Sequence, residues 1–268
     1  NKKSRYYTGF SGLKAIMKVI NSTENRIYKM CIKLGSKKYR DRLGLYIIEG
    51  EKLVKEAESA GMAEMVIIKE DHPRKEEFGG STKVFMKGSL FDKAAQTKTT
   101  QGVFAVAAKK EYDPKEFFEI TAGKNLIVLD RLQDPGNIGT IIRTAEAAGY
   151  GGAIIMKGSG DIYSSKAVRA AAGSILRFPV MLAEEAGSTA ELLLKNGRRI
   201  ISTKADAKKD FRETDLTENT ALVIGNEGKG VSDEFISLSG ETIKIPMKGE
   251  VDSLNAAVAA GILMYRSV

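Results

Sequence analysis

The chain has one cysteine, one histidine and no apolar run approaching the roughly 20 residues that a membrane span needs. A transmembrane protein is therefore excluded. A lone Cys31 excludes an internal disulfide framework and any cysteine-cluster zinc site, so no metal is expected. It also suits a reducing compartment, and the expected location is cytoplasmic. The single histidine, His72, lies in Asp71-His72-Pro73-Arg74, which reads as an exposed turn with no catalytic role. Residues 1–5 are basic but no apolar core follows them, so no secretory signal is expected. Residues 1–16 contain no Met, and residues 1–20 read as a leader or tag-like segment.

What is present is an ordinary globular balance: 268 residues, 43% hydrophobic and 28% charged, enough for one large domain or two of moderate size. The charge is unevenly placed. Residues 1–42 carry 12 Lys+Arg against 2 Asp+Glu, residues 1–120 carry 24 against 16, and residues 121–268 carry 18 of each. All the excess lies at the front, which points either to an anionic partner, nucleic acid first, or to a solvated basic face.

Residues 21–24 offer a capping signal, and Ile27, Met30, Cys31 and Leu34 recur at helical spacing up to Gly35. A basic turn over residues 36–42 follows. Strands are expected at 45–48, 65–68, 83–86 and 103–107, with helices at 51–60 and 90–95, which makes a small α/β domain over residues 21–108. Residues 109–124 are charged and weakly patterned and read as a linker. Residues 125–268 form a second alternating series. Its strands fall at 126–130, 153–156, 177–180, 200–203, 221–224 and 242–245, and its helices at 137–148, 165–172, 189–196, 232–237 and 253–264. Apolar strands alternating with helices imply a parallel sheet covered on both faces.

Three loops of this second half follow apolar strands at their C-terminal ends, the edge where open α/β sheets bind ligands. In Asp134-Pro135-Gly136-Asn137 the turn is tight, Asn137 is placed to cap a helix, and Thr140 and Arg143 share one face of it. In Gly225-Asn226-Glu227-Gly228-Lys229-Gly230 three glycines permit close backbone approach, yet neither a Walker loop nor G-x-G-x-x-G is matched. In the third loop a strand stops at Pro246, and Ser253 stands at the mouth of a helix rich in small residues, where it would serve as N-cap.

Taken in order, these loops resemble the motifs of the SpoU (TrmH-type) RNA 2'-O-ribose methyltransferases of the SPOUT superfamily. Asn137-Ile138-Gly139 with Arg143 is similar to the first motif, Gly225-Asn226-Glu227-Gly228 to the second, and Ile245-Pro246-Met247 with Ser253-Leu254-Asn255 to the third. The stretch Ser165-Lys166-Ala167-Val168-Arg169 through Gly173 also fits the family pattern. The likeness covers about 140 residues, and residues 21–107 resemble the substrate-binding domain, related to a ribosomal-protein fold, that precedes the catalytic domain in several members.

The resemblance implies S-adenosylmethionine as methyl donor, a parallel-sheet SPOUT domain with a deep trefoil knot, and a homodimer acting on RNA. Ribosomal RNA is the expected substrate, with tRNA the alternative. By the same carry-over, Thr203, Gly225, Ile245 and Leu254 hold the cofactor, while Arg143, Asn137, Glu227, Ser253 and Asn255 form the catalytic set. A side chain at position 225 would obstruct backbone contact with the adenosine. The family assigns the base role to the motif-one arginine, which is awkward because arginine stays protonated. Arg143 is equally readable as a grip on phosphate or on the developing alkoxide, and Glu227 either as a proton acceptor or as a loop anchor. Lys37, Lys38, Arg40 and Arg42 are the expected RNA contacts. Two rival readings remain: an RNA-binding member without chemistry, and a base methyltransferase of the same superfamily.

Overall fold

In the computed structural model the described residues are 19–79 and 82–268; all but the last two positions of the expected leader lie outside them. They form two compact units. One runs to Lys109 and includes Tyr163–Arg169; the other comprises Lys110–Ile162 and Ala170–Val268.

The smaller unit opens with α1 (Arg26–Leu34), capped not by residues 21–24 but by Asn25, whose side chain accepts from the Ile27 and Tyr28 amides. Ile27, Tyr28, Cys31 and Leu34 then face inward on one stripe. The residues read as a basic turn are instead a helix, α2 (Lys37–Leu43), closed by Gly44 in the left-handed conformation at φ 66°. Around these and α3 (Glu51–Ser59) and α4 (Gly88–Ala94) lie β1 (Leu45–Glu49), β2 (Ala63–Lys69), β3 (Thr82–Met86) and β4 (Val103–Ala108). The sheet order is β1-β4-β2-β3, antiparallel except for the β2/β3 pair. Ile47, Ile67, Phe91, Phe104 and Val106 fill its core with the α1 stripe.

His72 is not the exposed residue its Pro-containing turn implies. Its side chain is 3% exposed, with Nε2 3.0 Å from the Gln101 carbonyl and Nδ1 accepting the Arg74 amide.

The larger unit begins inside the expected linker. Asp113 caps α5 (Pro114–Ile120), with Pro114 in the first turn where its missing N–H costs nothing. Phe117 is fully buried in the core beside Leu126, Val128 and Ile154. The charged residues around Phe117 and Phe118 hide that helix from periodicity. The sheet has seven parallel strands: β5 (Leu126–Leu129), β6 (Gly152–Met156), β7 (Val180–Ala183), β8 (Arg199–Thr203), β9 (Lys209–Asp210), β10 (Thr220–Ile224) and β11 (Glu241–Lys244). Their order is β7-β6-β5-β10-β8-β11-β9. Every residue of β5, β6 and β10 is buried, as strands covered on both faces must be. The strand expected at 177–180 starts three residues later, because Ser174–Arg177 forms the short helix α8. The remaining helices of this unit are α6 (Pro135–Ala147), α9 (Ala186–Lys195), α10 (Asp233–Leu238) and α11 (Ala256–Met264); α7 (Ser165–Ala171) belongs through Arg169 to the smaller unit.

The winding direction matters for the site. From β5 the chain moves outward to β6 and β7, then returns to lay β8 on the far side of a gap that β10 later fills. The reversal places a switch point at β5, β10 and β8, where the carboxyl ends of an open parallel sheet leave a crevice.

Candidate active site

The first two motif loops leave adjacent strands and are bonded to each other along their length. Asp130, 1% exposed at the end of β5, takes the Ile224 carbonyl with its amide at 2.8 Å and accepts the Ser232 amide at 2.7 Å. The same carboxylate accepts Nε and Nη2 of Arg131 at 3.0 and 3.2 Å. Arg131 itself holds a left-handed backbone (φ 59°), unfavourable for a residue with a Cβ. Its carbonyl accepts the Asn226 side-chain amide at 2.9 Å, which fixes the turn. Asn226 also accepts the amides of Gly228 and Lys229, so one side chain organises the whole second loop.

Glu227 closes the other end. Its Oε2 accepts the Gln133 amide at 3.1 Å; its Oε1 accepts the Asp134 amide at 3.3 Å and, at the long limit of 3.5 Å, the Asn137 side chain. Burial pushes this carboxyl up, but the amides of its own loop, Gln133 and Asp134, with Asn137, outweigh it and leave the group below the usual glutamate range. A carboxylate so occupied is a weaker base than a free glutamate.

Two caps differ from expectation. Asp134, not Asn137, caps α6, accepting the Gly136 amide at 2.6 Å and the Asn137 amide at 3.0 Å. Likewise Asn255, not Ser253, caps α11, accepting the Ala257 and Val258 amides at 2.9 and 3.3 Å. Relieved of capping, Asn137 Oδ1 accepts Nδ2 of Asn255 at 3.0 Å. Glu227, Asn137 and Asn255 thus form a relay through all three motif loops. Ser253 is exposed and makes no hydrogen bond among the described residues.

Thr203, Gly225 and Ile245 stand at the ends of the adjoining strands β8, β10 and β11, with β8 between the other two. The Thr203 hydroxyl donates to the Val223 carbonyl at 3.0 Å and keeps its acceptor lone pairs. Leu254, next to Asn255, is half-buried like Ile245. Gly225 is required for a reason other than ligand clearance. A Cβ there would meet the Gly230 carbonyl carbon and the Val231 nitrogen at 2.2 Å, because the loop folds back through paired Asn226–Gly230 backbone bonds. Arg143 is exposed on α6 beside Thr140, and its side chain has no hydrogen bond or ion pair among the described residues. Asp130, Asn226 and Asp134 are the structural partners that reasoning from sequence missed; an acid ending an apolar strand, Leu126-Ile127-Val128-Leu129-Asp130, was the available signal.

A parallel α/β sheet with its working loops gathered at a switch point defines a ligand-binding enzyme fold of the doubly wound class. Comparison with known proteins narrows the class. Residues 124–265 match the SpoU rRNA Methylase family, and residues 25–105 match the MRM3-like substrate binding domain. The chain is 32% identical over 251 residues, 93% of its length and 98% of the relative's, to the 23S rRNA (guanosine(2553)-2'-O)-methyltransferase RlmP of Bacillus subtilis. Its fold superposes on an AdoMet-bound rRNA methyltransferase from Sinorhizobium meliloti with a TM-score of 0.83 at 28% identity, over 93% of this chain and 97% of that one. The SpoU methyltransferase AviRb from Streptomyces viridochromogenes gives 0.81 at 26% identity, over 91% and 96%. The chain belongs to the SpoU rRNA methylase family.

Proposed function

We propose that this protein transfers the methyl group of S-adenosylmethionine to a ribose 2'-hydroxyl of RNA, ribosomal RNA in particular. The observation that carries the reading is the convergence of three motif loops, tied by the Glu227–Asn137–Asn255 relay, at the switch point of the parallel sheet. The residues present suit the cofactor: backbone groups at the ends of β8, β10 and β11 for the adenosine, and half-buried Ile245 and Leu254 for its apolar faces. S-adenosylmethionine supplies an electrophilic methyl on sulfur, and the protein's task is to place a hydroxyl in line with it.

Arg143 is the cation of the motif set, unpaired among the described residues. It is always protonated, so its role is to grip phosphate or stabilise charge on the attacking oxygen, the proton leaving to phosphate or water. Glu227 anchors the loops, a reading supported by its occupied oxygens and lowered pKa. Asn137, Asn255 and Ser253 orient the ribose. Methyl label from the cofactor is expected in protein-free ribosomal RNA; labelling of tRNA alone would move the substrate to the tRNA class.

The RNA-contact set changes with the structure. Arg40 is buried and donates to the Leu34 carbonyl at 2.7 Å, joining α1 to α2, so it is withdrawn. Lys37 pairs with Asp41 at 2.9 Å, whereas Lys38 and Arg42 are exposed and unpaired among the described residues. Neutralising Lys38 and Arg42 together should lower RNA affinity and reduce the salt slope by about 0.7 per lost phosphate contact on single strands. An unchanged slope would make this face mere solvated charge. Arg40→Ala should instead lower the thermal midpoint, leaving the Leu34 carbonyl unsatisfied.

A homodimer through α11 belongs to the same proposal. That helix is apolar on every side yet leaves Val258 and Ile262 exposed, with Tyr265 beyond them; a monomer mass by light scattering would contradict it. The trefoil knot and a cytoplasmic location are likewise proposed. The insertion of β10 between β5 and β8, after both are laid down, supports the knot. So are the domain limits, with substrate binding over residues 21–108 and catalysis over 125–268; α5 moves the catalytic start forward into the former linker.

A further inference from the structure

In the smaller unit, residues 95–102 join α4 to β4 with no regular structure, yet both ends of this loop are tied down. Glu49, the last residue of β1, accepts the Gln96 amide at 2.9 Å and the Thr97 hydroxyl. At the far end, Gln101 Oε1 accepts the Glu51 amide at 2.9 Å, and the Gln101 carbonyl receives His72 Nε2. Because Nδ1 of His72 already accepts the Arg74 amide, Nε2 carries the hydrogen and donates. Two glycines make this approach possible. At Gly102 (φ +77°) a Cβ would fall 2.7 Å from the His72 ring, and at Gly50 (φ +105°) 3.1 Å from Gln101 Oε1. A buried histidine, a carboxylate and a glutamine are all committed to the shape of one surface loop.

Between the anchors, Lys98 and Thr99 are exposed, and their side chains have no partner among the described residues. The adjacent carboxylates do not compete for them. Glu49 is occupied by Gln96 and Thr97, and Glu51 by Arg74 and, at 3.3 Å, by His72. The loop, tied at both ends, therefore offers an ammonium and a hydroxyl free of neutralising acid among the described residues, which is the chemistry that contacts the phosphates and sugars of nucleic acid.

We propose that the 96–101 loop is an RNA-backbone contact of the substrate-binding unit, with Lys98 on a phosphate, Thr99 on the adjoining phosphate or ribose, and Glu49 and His72 as positioning residues. It rests on the reading of this protein as an RNA methyltransferase and adds a contact surface separate from the basic helix α2.

The test is filter binding of labelled, protein-free ribosomal RNA by the full chain over a range of salt. Lys98→Ala should weaken binding and reduce the slope of log affinity against log salt by about 0.7–0.9, one phosphate contact. Thr99→Ala should weaken binding with the slope unchanged. Glu49→Gln keeps both outward groups but loosens the loop, and should also weaken binding. S-adenosylmethionine affinity should be that of the unmodified protein in all three. Should Glu49→Gln fail to fold, the Lys98→Ala/Thr99→Ala double variant, which breaks no internal bond, still decides: binding at the unmodified level overturns the proposal. Failure of the unmodified protein to bind RNA at all would instead overturn the methyltransferase reading beneath it.

Discussion

Replacing Arg143 by alanine should lower single-turnover methylation on the order of a hundredfold or more, with S-adenosylmethionine affinity nearly unchanged. The guanidinium is exposed on α6, nearly two turns beyond Asn137, and no protein acid neutralises it among the described residues. An arginine left unpaired on the helix that carries Asn137 is available for a polyanionic substrate. In the proposed role, its loss would remove stabilisation of the attacking oxygen without touching the strand ends proposed to hold the cofactor. Lysine should restore only part of the rate, because a point charge does not reproduce a planar fork. Saturating RNA and cofactor are needed, so that chemistry is separated from binding. A wild-type rate in the alanine variant would sink the assignment and return attention to Glu227.

Gly225 carries the second large effect. Read from the sequence, a side chain at position 225 obstructs backbone contact with the adenosine. The structure adds a clash within the protein itself. The Cβ would overlap backbone atoms of Gly230 and Val231 at 2.2 Å, and no side-chain rotation relieves a backbone clash. Even Gly225→Ala should therefore displace the second loop from Asp130 and Arg131, at a cost of about 1–3 kcal/mol or more. Cofactor binding should vanish from calorimetry, and the thermal midpoint should fall by about 2–4 °C per kcal/mol. An alanine variant that melts like the wild type would show that the loop tolerates the methyl group and that Gly225 answers only to the ligand.

The motif residues were legible because each loop follows an apolar strand and breaks periodicity with Pro, Gly or Asn. What they do within the loops was less so. Capping was misassigned at both α6 and α11, since Asp134 and Asn137, or Ser253 and Asn255, are equally good caps by type; only the backbone decides which oxygen faces the free amides. Residue type leaves Glu227 open between base and anchor, and the Gln133 and Asp134 amides on its oxygens favour the anchor. Alternation located most strands, but α2 and α5 were missed, their few apolar positions being masked by lysine, arginine and glutamate. His72 was misplaced because Asp-His-Pro-Arg is turn chemistry, and its burial depends on Gln101, 29 residues away.

Nuclease digestion of ribosomal RNA incubated with this protein and S-adenosylmethionine carrying a labelled methyl group tests the central claim most directly. The account predicts that all the label is found in a 2'-O-methylnucleoside, protected within an alkali-resistant dinucleotide because the neighbouring phosphate has lost its attacking hydroxyl. Label on a nucleobase, or none in RNA while the protein binds cofactor and RNA, would contradict it.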